Sequence, residues 1–494
     1  MKFQSTRDRN AAKVTSAFAI KQGLAADGGL FVPEEIPSLT ADDITRLCEK
    51  DYPTRAADIL SRFLTDYTYD ELLADCREAY HEDSFVGGAA PLVKVREGLY
   101  SLELWHGPTA AFKDMALQIM PRLLSRALVK CGEKRTALIL VATSGDTGKA
   151  ALEGYKDVDG VKIMVFYPVD GVSRVQKLQM ATQTGSNVNV CAIRGNFDDA
   201  QNGVKAIFSN TTAAEKLNGD GYFFSSANSI NWGRLAPQIV YYVSAYCDLV
   251  LNGDIKMGET VDFCVPTGNF GNIFAAYLAK KMGLPIGKLI CASNVNNILT
   301  DFLRTGVYDR NRKFHLTMSP SMDILISSNL ERLLYFVAGP EKTAEYMNAL
   351  KQTGRYEIEA DILAKINETF VGYFADEDET AKTIQKTFAE NKYLADSHTA
   401  VALACAEKYR KEYGDKTPLV AASTASPYKF AADVYASLSG EKPKDELKAL
   451  DMLSAKTNTE IAYPLRDLDK RPVCFDTVID PENMLDEVYR YLAK

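Results

Sequence analysis

Short apolar runs alternate with stretches of helical length and amphipathic pattern in two parts of the chain, and this alternation restricts the fold more than any other feature. Ala137–Ala142 (A-L-I-L-V-A), Val161–Tyr167 (V-K-I-M-V-F-Y) and Asn187–Ile193 read as strands, with helices through Leu152, over Ser173–Thr184 and over Asp198–Phe208. In the second series Tyr222–Ser225, Val261–Val265 and Leu289–Ala292 read as strands. Helices follow from Trp232 to about Leu249 and from P-T-G-N-F-G-N through Lys281. Strands rich in Val and Ile, separated by helices of ten to fifteen residues, indicate parallel βαβ units covered on both faces. The expected fold class is therefore α/β, with two open parallel-sheet lobes and a cleft between them that is the default ligand site.

The remaining sequence adds a mainly helical N-terminal module and helical insertions. Thr68-Tyr69-Asp70-Glu71 fits a capping box, and Asp27-Gly28-Gly29 must be a tight turn into a short extended segment stopped by Pro33. Residues 1–95 are expected to form the N-terminal module, 96–440 the catalytic region with a mainly helical insertion at about 319–392, and 441–494 an extension packed on that region. Asp376–Glu379 reads as a solvated acidic helix start that complements the helix dipole.

Composition excludes several function classes. Lys and Arg number 57 against 65 Asp and Glu, a net charge of −8, so neither nucleic acid nor an anionic membrane is an expected partner, and an anionic ligand must be held locally. The 46% hydrophobic and 25% charged content is that of a water-soluble globular protein. Nine scattered cysteines show no C-x-x-C and four histidines no ligand spacing, which predicts reduced thiols and no metal site. With neither an apolar leader in M-K-F-Q-S-T-R nor a membrane-length apolar run, the expected location is cytoplasmic.

Four segments carry candidate chemistry. Leu104–Gln118 (L-W-H-G-P-T-A-A-F-K-D-M-A-L-Q) sets Lys113 beside an apolar stripe of Phe112, Met115, Ala116, Ile119 and Leu123. Such a lysine either snorkels at the surface or enters a pocket, where a lowered pKa makes it a Schiff-base nucleophile. Ala142–Lys149 (A-T-S-G-D-T-G-K) exposes backbone N–H groups ahead of a helix. It departs from a phosphate-binding P-loop at Thr143 and Ala150, leaving an anion loop or a plain βα turn. Pro266–Asn272 has the geometry of an anion nest, and Ser423–Pro427 offers hydroxyls at a strand end, where Thr424 could meet a ring nitrogen. An amine, a phosphate cradle, an anion loop and a hydroxyl together suit pyridoxal 5'-phosphate.

These residues also carry a resemblance. G-L-A-A-D-G-G-L-F-V-P, H-G-P-T-A-A-F-K-D-M-A-L-Q, A-T-S-G-D-T-G, S-S-A-N-S-I-N-W-G-R, P-T-G-N-F-G-N and D-S-H-T-A resemble the threonine synthases, within the tryptophan-synthase-β-like (fold type II) pyridoxal-phosphate enzymes. The likeness extends from Ser5 to about Phe430, and the N-terminal D-G-G-L module narrows it to threonine synthases. The chain departs from the usual pattern at Asp8, where S-T-R is followed by glycine, and at Ser426, where T-A is followed by histidine.

The resemblance implies that Lys113 carries the Schiff base and that Gly268, Asn269, Phe270, Gly271 and Asn272 hold the cofactor phosphate. It places Thr424 at the pyridine nitrogen and Asp146 near the cofactor's 3′-oxygen. Ser144, Gly145 and Thr147, with Asp146, would hold the substrate carboxylate. The implied reaction turns O-phospho-L-homoserine and water into L-threonine and phosphate, by a β,γ-replacement that is the last step of threonine biosynthesis. The implied protein is a monomer or homodimer acting on that small molecule. Arg234 is the candidate for the substrate phosphate, because arginine binds phosphate bidentately, and Arg7 is a second. His106 and His398 read as structural histidines, and Trp105 and Phe112 as core. The alternatives are a phospho-lyase yielding 2-oxobutyrate, a nucleotide-dependent phosphotransferase using Ser144–Lys149, and a catalytically silent binding protein.

Overall fold

A computed structural model describes residues 1–143, 145–170 and 172–493. Two sheets organise it. The larger runs Phe370–Phe374, Ile286–Ser293, Val261–Pro266, Leu419–Ser423, Leu99–Glu103, Leu92–Arg96, parallel except for the last pair. The smaller runs Val478–Ile479, Val188–Ile193, Val161–Pro168, Thr136–Ala142, Tyr222–Ser225, parallel throughout. Val261–Pro266 and Leu419–Ser423 are buried at every position, as central parallel strands covered on both faces must be. The two expected α/β lobes are present.

Several elements differ from the sequence pattern, and prolines explain two of them. The helix expected around Lys113 is a four-residue piece, Asp114–Leu117, followed by Met120–Lys130. Pro121 has no N–H to offer the Leu117 carbonyl, and a Cβ on Gly154 would lie 1.8 Å from that oxygen, so the neighbouring helix packs directly against the break. Pro237 likewise divides the stretch after Trp232 into Trp232–Leu235 and Pro237–Leu251. The segment 319–392 is mainly helical but includes a loop at 323–329 and two strands, Arg355–Glu357 and Phe370–Phe374, and the latter is an edge strand of the larger sheet. The charged C-terminal stretch also supplies a strand, Val478–Ile479, to the smaller sheet. Among the described residues no helix is long and apolar enough to cross a membrane, and the nine cysteines are free thiols.

The N-terminal module is tied in by buried polar contacts. Phe3–Ser5 pairs with Phe31–Pro33, Gly28 has φ 79°, and Asp27 accepts from the Ser5 hydroxyl at 2.7 Å. Thr68 and Glu71 form the expected capping box. Arg332, fully buried, donates to the carbonyls of Phe31 and Ile230 at 3.0 and 2.6 Å and to Asn329, joining this module to the segment that borders the cleft.

Candidate active site

The loops at the carboxyl ends of the strands converge, as ligand loops do in open α/β sheets. Ser423 and Thr424 accept backbone bonds from Leu104 and Phe112 at 2.9 and 2.8 Å, and Ala111 pairs with Ala425. These bonds fix Lys113 at the N-cap of the helix Asp114–Leu117, next to the Ser423–Pro427 turn.

Lys113 lies 3.8 Å from the Asp146 carboxylate, which opens a helix of the smaller lobe. Burial lowers the Lys113 amine to about 8, with Asp146 opposing that shift and Lys429 and Arg234 reinforcing it. Burial alone would raise Asp146. Lys429, Lys113 and a 2.7 Å bond from Gln176 outweigh it and hold the carboxyl below the ordinary range. Lys429 is fully enclosed, 3.0 Å from Asp146 and donating to the Thr109 carbonyl at 2.7 Å. Asp114 accepts from the Thr109 N–H and hydroxyl, yet burial raises it to about 7.

The Pro266–Asn272 loop has a different construction. Phe270 adopts φ 61° at the N-cap of Gly271–Met282, and its ring packs on Phe370. The Gly268 carbonyl accepts from Ser327 at 2.6 Å, and the Asn269 carbonyl from both the backbone and side chain of Asn329 at 3.0 Å. With the carbonyls taken on one side, the N–H groups that open the helix are left for an anion. A Cβ on Gly268 would come within 2.6 Å of the Ser321 carbonyl, so only glycine fits. Asn272 accepts from Tyr241 and Tyr242, and among the described residues its buried Nδ2 has no partner.

The cleft therefore gathers an amine of lowered pKa, a neutral anion cradle with an orphaned donor, and a buried hydroxyl turn. This donor set matches what pyridoxal phosphate requires, and the family model described as pyridoxal-phosphate dependent enzyme matches residues 84–424. Two further models flank it, threonine synthase N terminus at 2–80 and threonine synthase, C-terminal at 399–473. The chain is 38% identical to the threonine synthase of Pseudomonas aeruginosa, over 90% of this chain and 92% of that one. It is 41% identical to human threonine synthase-like 1 over 86% of its own length, but spans only 58% of that protein. Solved structures agree: a PLP-bound threonine synthase from Brucella melitensis superposes with TM-score 0.88 at 38% identity, covering 100% of this chain and 99% of that one. The yeast threonine synthase gives TM-score 0.89 at 33% identity, covering 100% and 99%. The chain belongs to the threonine synthase family.

The expected residues fall into three groups. Lys113, Asp146, Arg234, Thr424 and Asn272 are at least largely buried around the cleft loops. Arg234 donates to the Ala227 carbonyl at 2.6 Å, its Nε has no partner among the described residues, and burial lowers it to about 10. Other residues are placed differently from the expectation. The Phe270 side chain is core, so only its backbone can serve a ligand. The Gly145 N–H is donated to the Thr143 hydroxyl at 2.9 Å, as is that of Gly148 at 3.0 Å, which leaves the helix start at Asp146 and Thr147 to meet a carboxylate. Arg7 is engaged bidentately with Glu331 at 2.7 and 2.8 Å. Ser144 lies outside the described residues.

Both histidines named from sequence are satisfied structurally. His106 bonds the Val86 carbonyl and Glu103 at 2.9 and 2.8 Å. His398 sits between Asp396 at 2.7 Å and the Ser321 N–H at 3.1 Å. Trp105 and Phe112 are half-buried rather than core, with the Trp105 N–H donated to Ser423 at 3.0 Å. Sequence reading missed Lys429. Its only signal was a lysine among apolar neighbours in P-Y-K-F, directly after the hydroxyl turn.

Proposed function

We propose that this chain converts O-phospho-L-homoserine and water into L-threonine and phosphate. The observation that carries the reading is Lys113, a buried amine whose surroundings bring it near neutrality while a second, uncharged anion cradle stands apart from it.

Lys113 would hold the cofactor. The 268–272 backbone and the unpartnered Asn272 amide would hold its phosphate, and Thr424 its ring nitrogen. When bound, pyridoxal phosphate supplies an electron sink for charge at the substrate's Cα. Released by the substrate amine, Lys113 would remove protons at Cα and then Cβ as phosphate leaves Cγ, and return protons at Cγ and Cα as water adds at Cβ. An amine with pKa about 8 does both near neutral pH, where an ordinary lysine at about 10.4 would stay protonated. The helix start at Asp146–Thr147 orients the substrate carboxylate by its dipole. Arg234, buried with an unused Nε–H, takes the substrate phosphate and assists its departure. Excess positive charge from Lys113, Lys429 and Arg234 suits a dianionic substrate in an otherwise acidic protein.

The same proposal includes a cytoplasmic setting, supported by free thiols throughout, and monomeric or homodimeric protein with no nucleic-acid partner. The divisions at about 95 and 440 belong to it too; the junction of the first two family models at 80–84 supports the first, while the third, at 399–473, runs across the second. Borohydride reduction followed by peptide mapping is expected to label Lys113, and O-phosphohomoserine turnover to yield threonine and phosphate in equal amounts. Label on another lysine, or phosphate released with 2-oxobutyrate instead of threonine, overturns the reading.

A further inference from the structure

Lys429 adds to the positive charge of the site, but the reaction just described gives it no contact with cofactor or substrate. Its side chain is inaccessible to solvent, and its donors go to the Asp146 carboxylate and the Thr109 carbonyl. A buried ammonium is costly to desolvate, and the Asp146 carboxylate at 3.0 Å offsets that cost for Lys429. Asp146 has two oxygens with distinct neighbours: Oδ1 takes Lys429 and Gln176, while Oδ2 faces Lys113 at 3.8 Å and Ser321 at 3.5 Å.

We propose that Lys429 is a positioning residue for Lys113, acting through Asp146, so that the Lys113 amine faces an ion pair rather than a lone anion. The proposal rests on Lys113 being the reactive amine, and it specifies what makes that amine reactive. The groups around Lys113 are Asp146 from the smaller lobe, Lys429 from the turn after Thr424, Arg234 from the Trp232–Leu235 turn, and Asp114 from its own helix. Behind them, Lys149 is paired with Glu153 at 2.8 Å and adds no net charge. If Lys429 were absent, Asp146 would be a full counter-ion to Lys113 in a dry site and would keep the amine protonated. With Lys429 in place, Asp146 is already neutralised whichever state Lys113 is in. The carboxylate can then sit beside the reacting amine without trapping its proton.

The arrangement also fixes orientation. Lys429 follows Thr424 by five residues, and its bond to Thr109 ties that turn to the segment preceding Lys113. One side chain thus joins the hydroxyl turn, the lysine segment and the helix start of the opposite lobe.

The test is the pH dependence of Lys113 acetylation by acetic anhydride, followed by peptide mapping in the full chain freed of cofactor. The wild-type midpoint is expected at about 8. Lys429→Met should raise it by about one unit or more, and Asp146→Asn should lower it by a similar amount. The double variant should return to within about half a unit of wild type, because both charges leave together. Lys429→Arg should stay close to wild type. A merely structural lysine would not give opposite shifts that cancel. An unchanged midpoint in Lys429→Met, or a shift that Asp146→Asn does not reverse, overturns the proposal. If Lys429→Met does not fold, Asp146→Asn alone decides, since a midpoint that fails to fall has the same consequence. Borohydride mapping reports separately on whether Lys113 holds the cofactor, so the two failures are distinguishable.

Discussion

The two glycine-bearing loops of the cleft look alike as sequence and work by opposite means. In the loop after Ala142, the Thr143 hydroxyl absorbs the N–H groups of Gly145 and Gly148, so what faces the cleft is charge: Asp146 with Lys113 and Lys429. In the loop after Pro266, Ser327 and Asn329 take the carbonyls from behind, so what remains is backbone N–H and the Asn272 amide, with no charged side chain in the loop itself. A wall of coupled charges suits proton movement, because each proton changes the energy of the next. A neutral cradle suits a permanent phosphate, which it can grip without shifting the pKa of the amine nearby.

The largest expected effect comes from removing the amine that does the chemistry. Lys113→Ala should lower threonine formation by at least about 10³-fold and abolish the borohydride label, while leaving the fold intact. A variant that kept a tenth of the activity would break the division of labour between the two loops.

Asp114 comes next, and its sign can be worked out. Its folded carboxyl is raised to about 7 against about 3.9 unfolded. Between those values the native state binds a proton that the unfolded state does not, so stability falls as pH rises from about 4 to 7. Three units correspond to about 4 kcal/mol at most. Asp114→Asn can keep the Thr109 contacts with its amide reversed, and should flatten this slope in urea midpoints measured at pH 4.5 and 7.5. Asp146, held low by its lysines, acts in the opposite sense: its stabilisation is present above its unfolded pKa and is lost as pH falls. A wild-type profile that rose from pH 4.5 to 7.5 would contradict this account of Asp114.

Much of this could be read in the sequence, for a physical reason. Parallel strands buried on both faces are apolar at most positions, so Val161–Tyr167 and Val261–Val265 announced themselves despite Lys162 and Asp262, and the loops at their ends followed. Phe370–Phe374 (F-V-G-Y-F) is apolar enough to read as a strand, but it lies between two charged helical stretches, Ala360–Asn367 and Glu377–Asn391, and was absorbed into them. Within the site, Lys113 and the 266–272 loop were visible because their residue types are demanding locally. Lys429, the partners of Arg7 and the Thr143 bonds were not. Each depends on a residue brought from a distant part of the chain or on a hydroxyl whose partner is set by loop geometry, and neither leaves a periodic trace.

The neutral cradle should respond to shape where the charged wall responds to pH. Gly268→Ala places a methyl 2.6 Å from the Ser321 carbonyl, a backbone atom that cannot rotate away. The loop must shift, at a cost of about 1–3 kcal/mol, and cofactor affinity should weaken about tenfold or more with the Lys113 acetylation midpoint unchanged. Gly145→Ala should do the reverse. Its new methyl meets the Gln176 amide at 2.4 to 2.6 Å, at a position where φ is already 140°, and so disturbs the bond that orients Asp146. A moved midpoint in Gly268→Ala, or an unmoved one in Gly145→Ala, would erase the contrast between the loops.

The smallest effect is expected at His398, which supports the cradle from one step further away. Its Nε2 accepts the Ser321 N–H at 3.1 Å and so holds the turn whose carbonyl limits the space at Gly268. Its Nδ1 is fixed by Asp396 at 2.7 Å, so in this geometry the ring is neutral with the proton on Nδ1. His398→Ala removes the acceptor but leaves Asp396 the donors of His398 N, Thr399 N and Thr399 Oγ1, so the loss should be about 1–2 kcal/mol rather than the larger penalty of an isolated buried charge. Because Ser321 lies over Gly268 and within reach of Asp146, the loosened turn should weaken cofactor binding a few-fold and raise KM, with kcat nearly unchanged. A kcat loss beyond tenfold would show instead that the Asp396–His398 pair reaches the reacting atoms, and would move this histidine from the support of the neutral cradle to the charged wall opposite.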